Sequence, residues 1–268
     1  MTLKFAMQDK LSGYESPSDA FLLAKEAGFE GVEMNLFQQV LDETLTKSIL
    51  QASEQSGIPL SAVCGGYRHW IGDFNEDRRR LAVADIQTSL KYVSILQGQG
   101  IIAPAAYGMF SKNLPPFQPP RSDAEDREAL TDSLKRIAEF AEKYQVKLYL
   151  EPLNRYENHM IHTVEQAASI LQEVGSDQLQ ILGDFFHMNI EEADISNTIA
   201  VYSEQLGYYH LADSNRQLPG KGHTDFAPAF KQLQQLNYSG YLSLECRIQG
   251  DRLEELRNTV SFLRNQMA

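Results

Sequence analysis

Apolar and polar positions along this chain follow two periods that take turns. Short runs rich in β-branched and aromatic residues are each followed by a longer stretch in which apolar residues recur at helical spacing. Residues 3–8, 31–34, 60–64, 100–103, 147–151, 179–184, 207–211 and 241–245 read as strands. The stretches 16–28, 42–56, 75–96, 123–144, 163–174, 190–205, 225–236 and 251–265 read as helices. Their borders carry the expected signals. Ser16-Pro17 joins a capping residue to a first-turn proline, and Gly57 ends the second helix. Gly65-Gly66 reads as a turn after the third strand. A long loop with Pro115-Pro116 and Pro119-Pro120 follows the fourth strand and reads as a functional lid.

Strict strand–helix alternation implies a parallel sheet. Eight repeats in 268 residues favour a closed (β/α)8 barrel, a TIM barrel, spanning residues 1–268 as a single domain. An open doubly wound sheet is disfavoured, because no glycine-rich dinucleotide fingerprint follows the first strand.

Composition narrows the function. The net charge of −12 argues against a nucleic-acid partner. The basic run Arg78-Arg79-Arg80 sits among Glu76, Asp77 and Asp85 and reads as a solvated helix face. Two cysteines, Cys64 and Cys246, are too few for a disulfide framework. The start Met1-Thr2-Leu3-Lys4-Phe5 has no apolar run of signal-peptide type, and no stretch reaches membrane-spanning length. A soluble cytoplasmic protein with no membrane partner is expected.

In barrels of this kind, chemistry sits at the C-terminal ends of the strands. The fifth strand ends in Glu151, the sixth in Asp184 and the eighth in Glu245, while the seventh carries His210 near its end. Successive members are 33, 26 and 35 residues apart, each about one βα unit of roughly 30 residues. The four therefore come round in register at one rim. Three converging carboxylates repel one another unless a cation joins them. Such a donor set suits one divalent metal: Mn²⁺ first, with Mg²⁺, Co²⁺ or Zn²⁺ as alternatives.

The segments Glu151-Pro152-Leu153-Asn154-Arg155-Tyr156-Glu157, Gly183-Asp184-Phe185-Phe186-His187-Met188-Asn189-Ile190-Glu191-Glu192 and His210-Leu211-Ala212-Asp213-Ser214-Asn215-Arg216 resemble the xylose-isomerase-like barrel superfamily. More narrowly, they look like its D-tagatose and D-psicose 3-epimerases, and Pro219-Gly220-Lys221-Gly222 fits the same group. The resemblance covers the C-terminal half closely. It implies that Glu151, Asp184, His210 and Glu245 hold one metal and that Glu151 and Glu245 are the catalytic acid/base pair. It also implies that Glu157, His187 and Arg216 hold substrate oxygens, and that the chain forms a homodimer or homotetramer. The sequence departs from those epimerases at Phe185, where a small hydroxyl residue is usual, and at Ala212-Asp213.

The expected reaction is proton abstraction beside a ketose carbonyl through a cis-enediolate, with ketose 3-epimerisation first. Aldose–ketose or hydroxypyruvate isomerisation and an inosose- or dehydroshikimate-type dehydration use the same parts. An endonuclease IV-like phosphodiesterase and a non-catalytic sugar-binding barrel are more distant alternatives. His69 and Trp70 follow the third strand at the active rim and are expected to contact the sugar. Lys221 can meet a phosphate or hold a loop; an unphosphorylated sugar or keto-sugar is preferred. His223 is a weaker ligand candidate. Asp225 reads as a helix cap, and His159 and His162 read as structural.

Overall fold

The computed structural model describes residues 2–110, 115 and 118–267. Its eight strands are β1 (Lys4–Gln8), β2 (Gly31–Phe37), β3 (Leu60–Tyr67), β4 (Gly100–Pro104), β5 (Lys147–Glu151), β6 (Leu179–Asp184), β7 (Leu206–Leu211) and β8 (Tyr241–Leu244). Each pairs in parallel with its neighbour in sequence, and β8 closes onto β1 with Lys4 opposite Tyr241. The helices are α1 (Pro17–Ala27), α2 (Glu43–Ser56), α3 (Glu76–Ile95), α4 (Asp123–Tyr144), α5 (Val164–Val174), α6 (Phe185–Glu191), α7 (Ile195–Val201), α8 (Ala227–Gln235) and α9 (Arg252–Asn265). The fold is thus the expected (β/α)8 barrel. Among the described residues no helix is long and apolar enough to cross a membrane.

The helices start where their caps dictate. Ser16 accepts from the Asp19 amide, with Pro17 next to it, and Gly28 ends α1 at φ +94°. Reciprocal capping boxes open α4 (Ser122 with Glu125) and α5 (Thr163 with Gln166).

Strand alternation explains where the site lies. Ala6, Ala62, Ile102, Tyr149, Leu182 and Tyr208 form one small cluster that fills the barrel interior. Small Ala6 and Ala62 leave room for Tyr149 and Tyr208, whose rings lie 5.3 Å apart. Two residues further along a strand, the side chain faces the same way again. Those positions are Gln8, Cys64, Pro104, Glu151, Asp184 and His210. The layer above the apolar plug is therefore polar, and it belongs to the C-terminal rim. A larger apolar layer, including Phe5, Ile101, Leu148 and Ile181, packs between the strands and the helices.

Three local expectations need correction. Gly65 and Gly66 do not turn the chain; they lie inside β3, which continues to Tyr67. The β2–β3 register jumps from Leu36 opposite Gly65 to Phe37 opposite Tyr67, so β3 carries a bulge. Both glycines have positive φ (+93° and +87°), and a Cβ at Gly65 would lie 2.6 Å from the Leu36 carbonyl oxygen. Bulge and glycines look like a turn in sequence but lengthen the strand.

The helix expected over 190–205 is two shorter ones. Asp184 accepts from the Phe186 amide and starts α6 at once. Glu192 is extended, and its carboxylate takes the Val164 amide at 2.8 Å and the Thr198 hydroxyl at 3.1 Å. Asp194 then caps α7. These side-chain acceptors break a pattern that helical periodicity alone runs together. Lastly, α8 begins at Ala227, with Asp225 accepting from its amide at 3.3 Å. Pro116, in the proline-rich loop read as a lid, lies outside the described residues.

Candidate active site and metal centre

Glu151, Asp184, His210 and Glu245 converge at the rim, and one donor atom from each lies within 4.8 Å of every other. Glu151, Asp184 and His210 are buried, and Glu245 is partly open to the cavity above. Register sets the geometry: Asp184 pairs with His210 across β6–β7, and the Glu245 amide bonds Leu211 just past β8. His210 Nδ1 lies 3.5 Å from Glu151 and 3.2 Å from Glu245. Glu151 Oε1 and His210 Nδ1 are buried with no hydrogen-bond partner, although buried polar atoms are normally paired. Two unpaired ligand atoms beside two further carboxylates fit a divalent cation with oxygen and imidazole ligands.

The charges are arranged asymmetrically. Burial pushes the Glu151 carboxyl up, helped by Glu245 and Asp184 and opposed by His210. Desolvation also tends to raise Glu245, yet Arg216 and His210 together hold its carboxyl well below the usual range. Burial alone would lower His210, but Glu33 and Glu245 outweigh it and raise it. Two carboxylates whose surroundings push them in opposite directions are suited to act as acid and base.

Arg216 links the ring of acids. Its guanidinium lies 2.6 Å from Asp184 and 2.5 Å from Glu245, and it stacks on Phe186 at 4.7 Å. Its backbone is left-handed (φ 61°), a strain more often kept at functional positions than elsewhere. The loop presenting it is pinned by Asp213, whose carboxylate accepts from the Ser214, Gly220 and Thr224 amides.

His187 stands 3.5 Å from Asp184 and is buried, which lowers its pKa. Its Nδ1 accepts from the Asn154 amide at 3.1 Å, so the other nitrogen carries the proton. Asn154 Nδ2 also donates to Glu157 at 3.2 Å. Glu157, His187, Arg216, His69 and Trp70 all line one cavity of about 710 Å³ together with Glu151 and Glu245. The five residues expected around a substrate thus share its walls. Cys64 and Cys246 line it too; both are free thiols kept neutral chiefly by burial.

Other candidates fall elsewhere. Phe185 stacks on Phe226 at 5.6 Å in the helix-side core, so this departure from the epimerase pattern points away from the cavity. Lys221 pairs with Glu255 at 3.0 Å, which favours loop holding over phosphate binding. His223 bonds Ser214 at 2.9 Å, outside the four-residue cluster. His159 packs on Phe74 (4.8 Å) and lies 3.4 Å from Asp126, and His162 contacts the Leu153 carbonyl.

Sequence reasoning missed Glu33, Gln8 and Asn154. Glu33 is fully buried, with both oxygens 3.1 Å from His210 Nε2. Gln8, opposite Glu33 in the β1–β2 register, donates to Glu33 at 2.8 Å and to Glu245 at 3.1 Å. The signal was available for Gln8, which ends β1, whereas Glu33 lies mid-strand in β2, where a search of strand ends does not reach.

Known proteins share this fold over nearly the whole chain. A family model described as xylose isomerase-like TIM barrel matches residues 21–266. A 3-dehydro-D-guloside 4-epimerase of Escherichia coli is 38% identical over 265 residues, covering 98% of this chain and 99% of that protein. The crystal structure of an E. coli 3-keto-D-glucoside 4-epimerase superposes with a TM-score of 0.93 at 37% identity, over 98% of this chain and 100% of that one. A D-psicose 3-epimerase of Enterocloster bolteae is 38% identical over 120 residues, 45% of this chain and 40% of that protein. These relatives are epimerases, enzymes of the isomerase class.

Proposed function

Because the chain belongs to the xylose isomerase-like TIM barrel family, we propose that it is a metal-dependent epimerase inverting the carbon beside a sugar ketone, with a 3-keto glycoside inverted at C4 as its substrate. One observation carries the chemistry: two glutamates from separate strands, Glu151 and Glu245, share a cluster with Asp184 and His210. The choice of substrate follows the 4-epimerase, which is similar over its whole length, whereas the D-psicose 3-epimerase matches over less than half. Inversion of a free ketose at C3 is the second reading, supported by that match in part of the chain. In both cases the inverted carbon neighbours the carbonyl.

The reaction needs a base on one face of that carbon and an acid on the other. Glu245 takes the proton; the C–H electron pair moves into the new C=C bond and the carbonyl π pair onto oxygen, giving the cis-enediolate. Glu151 returns a proton to the opposite face as the carbonyl re-forms. The reverse direction exchanges the roles, and no other reactant is consumed. Glu151, Asp184, His210 and Glu245 would hold a divalent cation, Mn²⁺ by preference, which would supply positive charge against charge developing on the substrate oxygens. Arg216 and His187 hold substrate oxygens through N–H donors, and Glu157 accepts from a substrate hydroxyl.

The test is solvent exchange. The Mn²⁺-loaded protein is incubated in D₂O with methyl 3-keto-glucoside and, separately, with free ketoses. Deuterium at C4 with the C4 epimer supports the proposal, and deuterium at C3 of a ketose supports the second reading. Aldose formation would replace it with isomerisation, loss of water with dehydration, and no exchange with any keto sugar would overturn the epimerase reading.

A further inference from the structure

Phe37, Trp70 and Tyr107 stand together at the cavity mouth. Their ring centroids are 5.7 to 6.0 Å apart, in tilted and edge-on pairs. Phe37 is 50% and Tyr107 43% exposed, and all three line the same cavity as Glu151 and Glu245. Single exposed aromatics are ordinary, but three clustered at the mouth of one pocket mark a recognition surface.

Strand register gives their height above the reacting centre. Glu33 touches His210, and Phe37 lies four residues further along β2, ~13 Å at ordinary strand rise. Pro104 pairs with Glu151, and Tyr107 follows it by three residues. Tyr67 pairs with Phe37, and Trp70 is three residues beyond it. Three separate strands thus lift the aromatics to one level, beyond the reach of a ring bound at the carboxylates and within reach of a ring joined to it. The cavity of about 710 Å³ is large for a single hexose.

We infer that Phe37, Trp70 and Tyr107 form a subsite for a second pyranose ring, so that the protein acts on a keto sugar carried in a two-ring glycoside. The occupant is a sugar rather than a purely apolar group because the same mouth is lined by Gln38, Arg68, His69 and Arg247. Arg68 is held in place by two bonds to Asp85, at 2.9 Å each. A pyranose has an apolar C–H face for the aromatics and an edge of hydroxyls for those donors.

The inference rests on the 3-keto glycoside reading, and its test separates the two. Metal-loaded protein is assayed with methyl 3-keto-glucoside and with a 3-keto-glucoside whose aglycone is a second glucose. The expected kcat/KM is about tenfold higher for the two-ring substrate, the scale of one aromatic stacking surface. Phe37→Ala and Tyr107→Ala should reduce that preference to less than about threefold, with melting temperatures near the native value because both side chains are exposed. Equal rates on the two substrates, equal loss on both, or a preference for an aromatic aglycone over the second sugar would overturn it. A binding readout does not depend on turnover. Trp70 is the only tryptophan in the chain, so its fluorescence is titrated with cellobiose and with methyl glucoside, neither of which carries a ketone. A change at lower concentration with cellobiose, lost in Phe37→Ala, supports the subsite even if no keto glycoside is turned over; equal responses would count against it.

Discussion

Both carboxylate oxygens of Glu33 lie 3.1 Å from Nε2 of His210, which turns Nδ1 of the same ring toward Glu151 and Glu245. A carboxylate on the far nitrogen fixes the tautomer and the plane of a ligating histidine. Gln8 steadies the arrangement by donating to Glu33 and Glu245 at once.

Glu33→Gln removes the charge opposite His210 but keeps the size of the side chain. Affinity for Mn²⁺ should fall by about 10–100-fold, the usual effect of losing such a partner. Breaking a buried charged pair also costs about 3–5 kcal/mol of stability, so a thermal melt belongs beside the metal titration. Mn²⁺ competition against a chelator reads the affinity directly, without turnover. An affinity within twofold of native, in a protein that still melts cooperatively, would refute the positioning role.

Glu151→Gln and Glu245→Gln separate the two faces of the reaction. Each should lower inversion by about 10²–10⁴-fold, the range of general acid–base catalysis. The residual behaviour should differ. With Glu151→Gln, Glu245 still removes a proton from one epimer, so deuterium washes in without inversion. With Glu245→Gln, the other epimer does so. Metal content is measured in parallel, because both residues belong to the proposed ligand set. Native turnover in both variants would remove the two-glutamate mechanism.

The alternation of short and long periods carried the barrel because each βα unit buries its own apolar stripe, and local pattern suffices to show that. The four-residue cluster was legible for a related reason: Glu151, Asp184 and Glu245 are acids where strand signals end, and His210 keeps the same spacing. What stayed hidden depended on contacts between distant segments. Glu33 lies mid-strand, and its role appears only when β7 brings His210 across the barrel. The Gly65-Gly66 bulge depends on the close approach of the Leu36 carbonyl from β2. The break between α6 and α7 depends on Glu192 reaching the α5 amide of Val164. The convergence of Phe37, Trp70 and Tyr107 required the registers of three strands at once.

Asn154 orients His187, and its removal should be felt in binding more than in chemistry. Its amide N–H and its Nδ2 both approach His187 Nδ1, at 3.1 and 2.8 Å. Asn154→Ala leaves the backbone donor but frees Glu157 and loosens the ring. KM should rise by about tenfold with kcat reduced less, the pattern of lost ground-state binding. Asn154→Asp, similar in shape but unable to donate, should not rescue it. A fall in kcat with KM unchanged would show that His187 acts in the chemical step instead.

Asp213 links loop stability to pH. Burial tends to raise its carboxyl, but backbone donors from Ser214, Gly220 and Thr224 outweigh this and hold it below the usual range. A group whose folded pKa is depressed contributes stability above its unfolded pKa and loses it as pH falls through the folded one. Asp213→Asn keeps the shape but turns one acceptor into a donor facing an amide. At neutral pH the variant should melt lower by about 2–4 °C for each kcal/mol lost, with on the order of 1 kcal/mol expected. Native and variant melting temperatures should converge as pH falls below the ordinary carboxylate range, because the native residue is then neutral too. Arg216 hangs on this loop through the hydrogen bond its backbone N–H donates to the Asp213 carbonyl at 2.9 Å, so kcat/KM should drop with the loop. Melting temperatures recorded from neutral pH to about pH 2.5 decide the matter. A native–variant gap that stays constant across the acid range would mean the Asp213 charge contributes nothing, and the loop would owe its form to neutral hydrogen bonds alone.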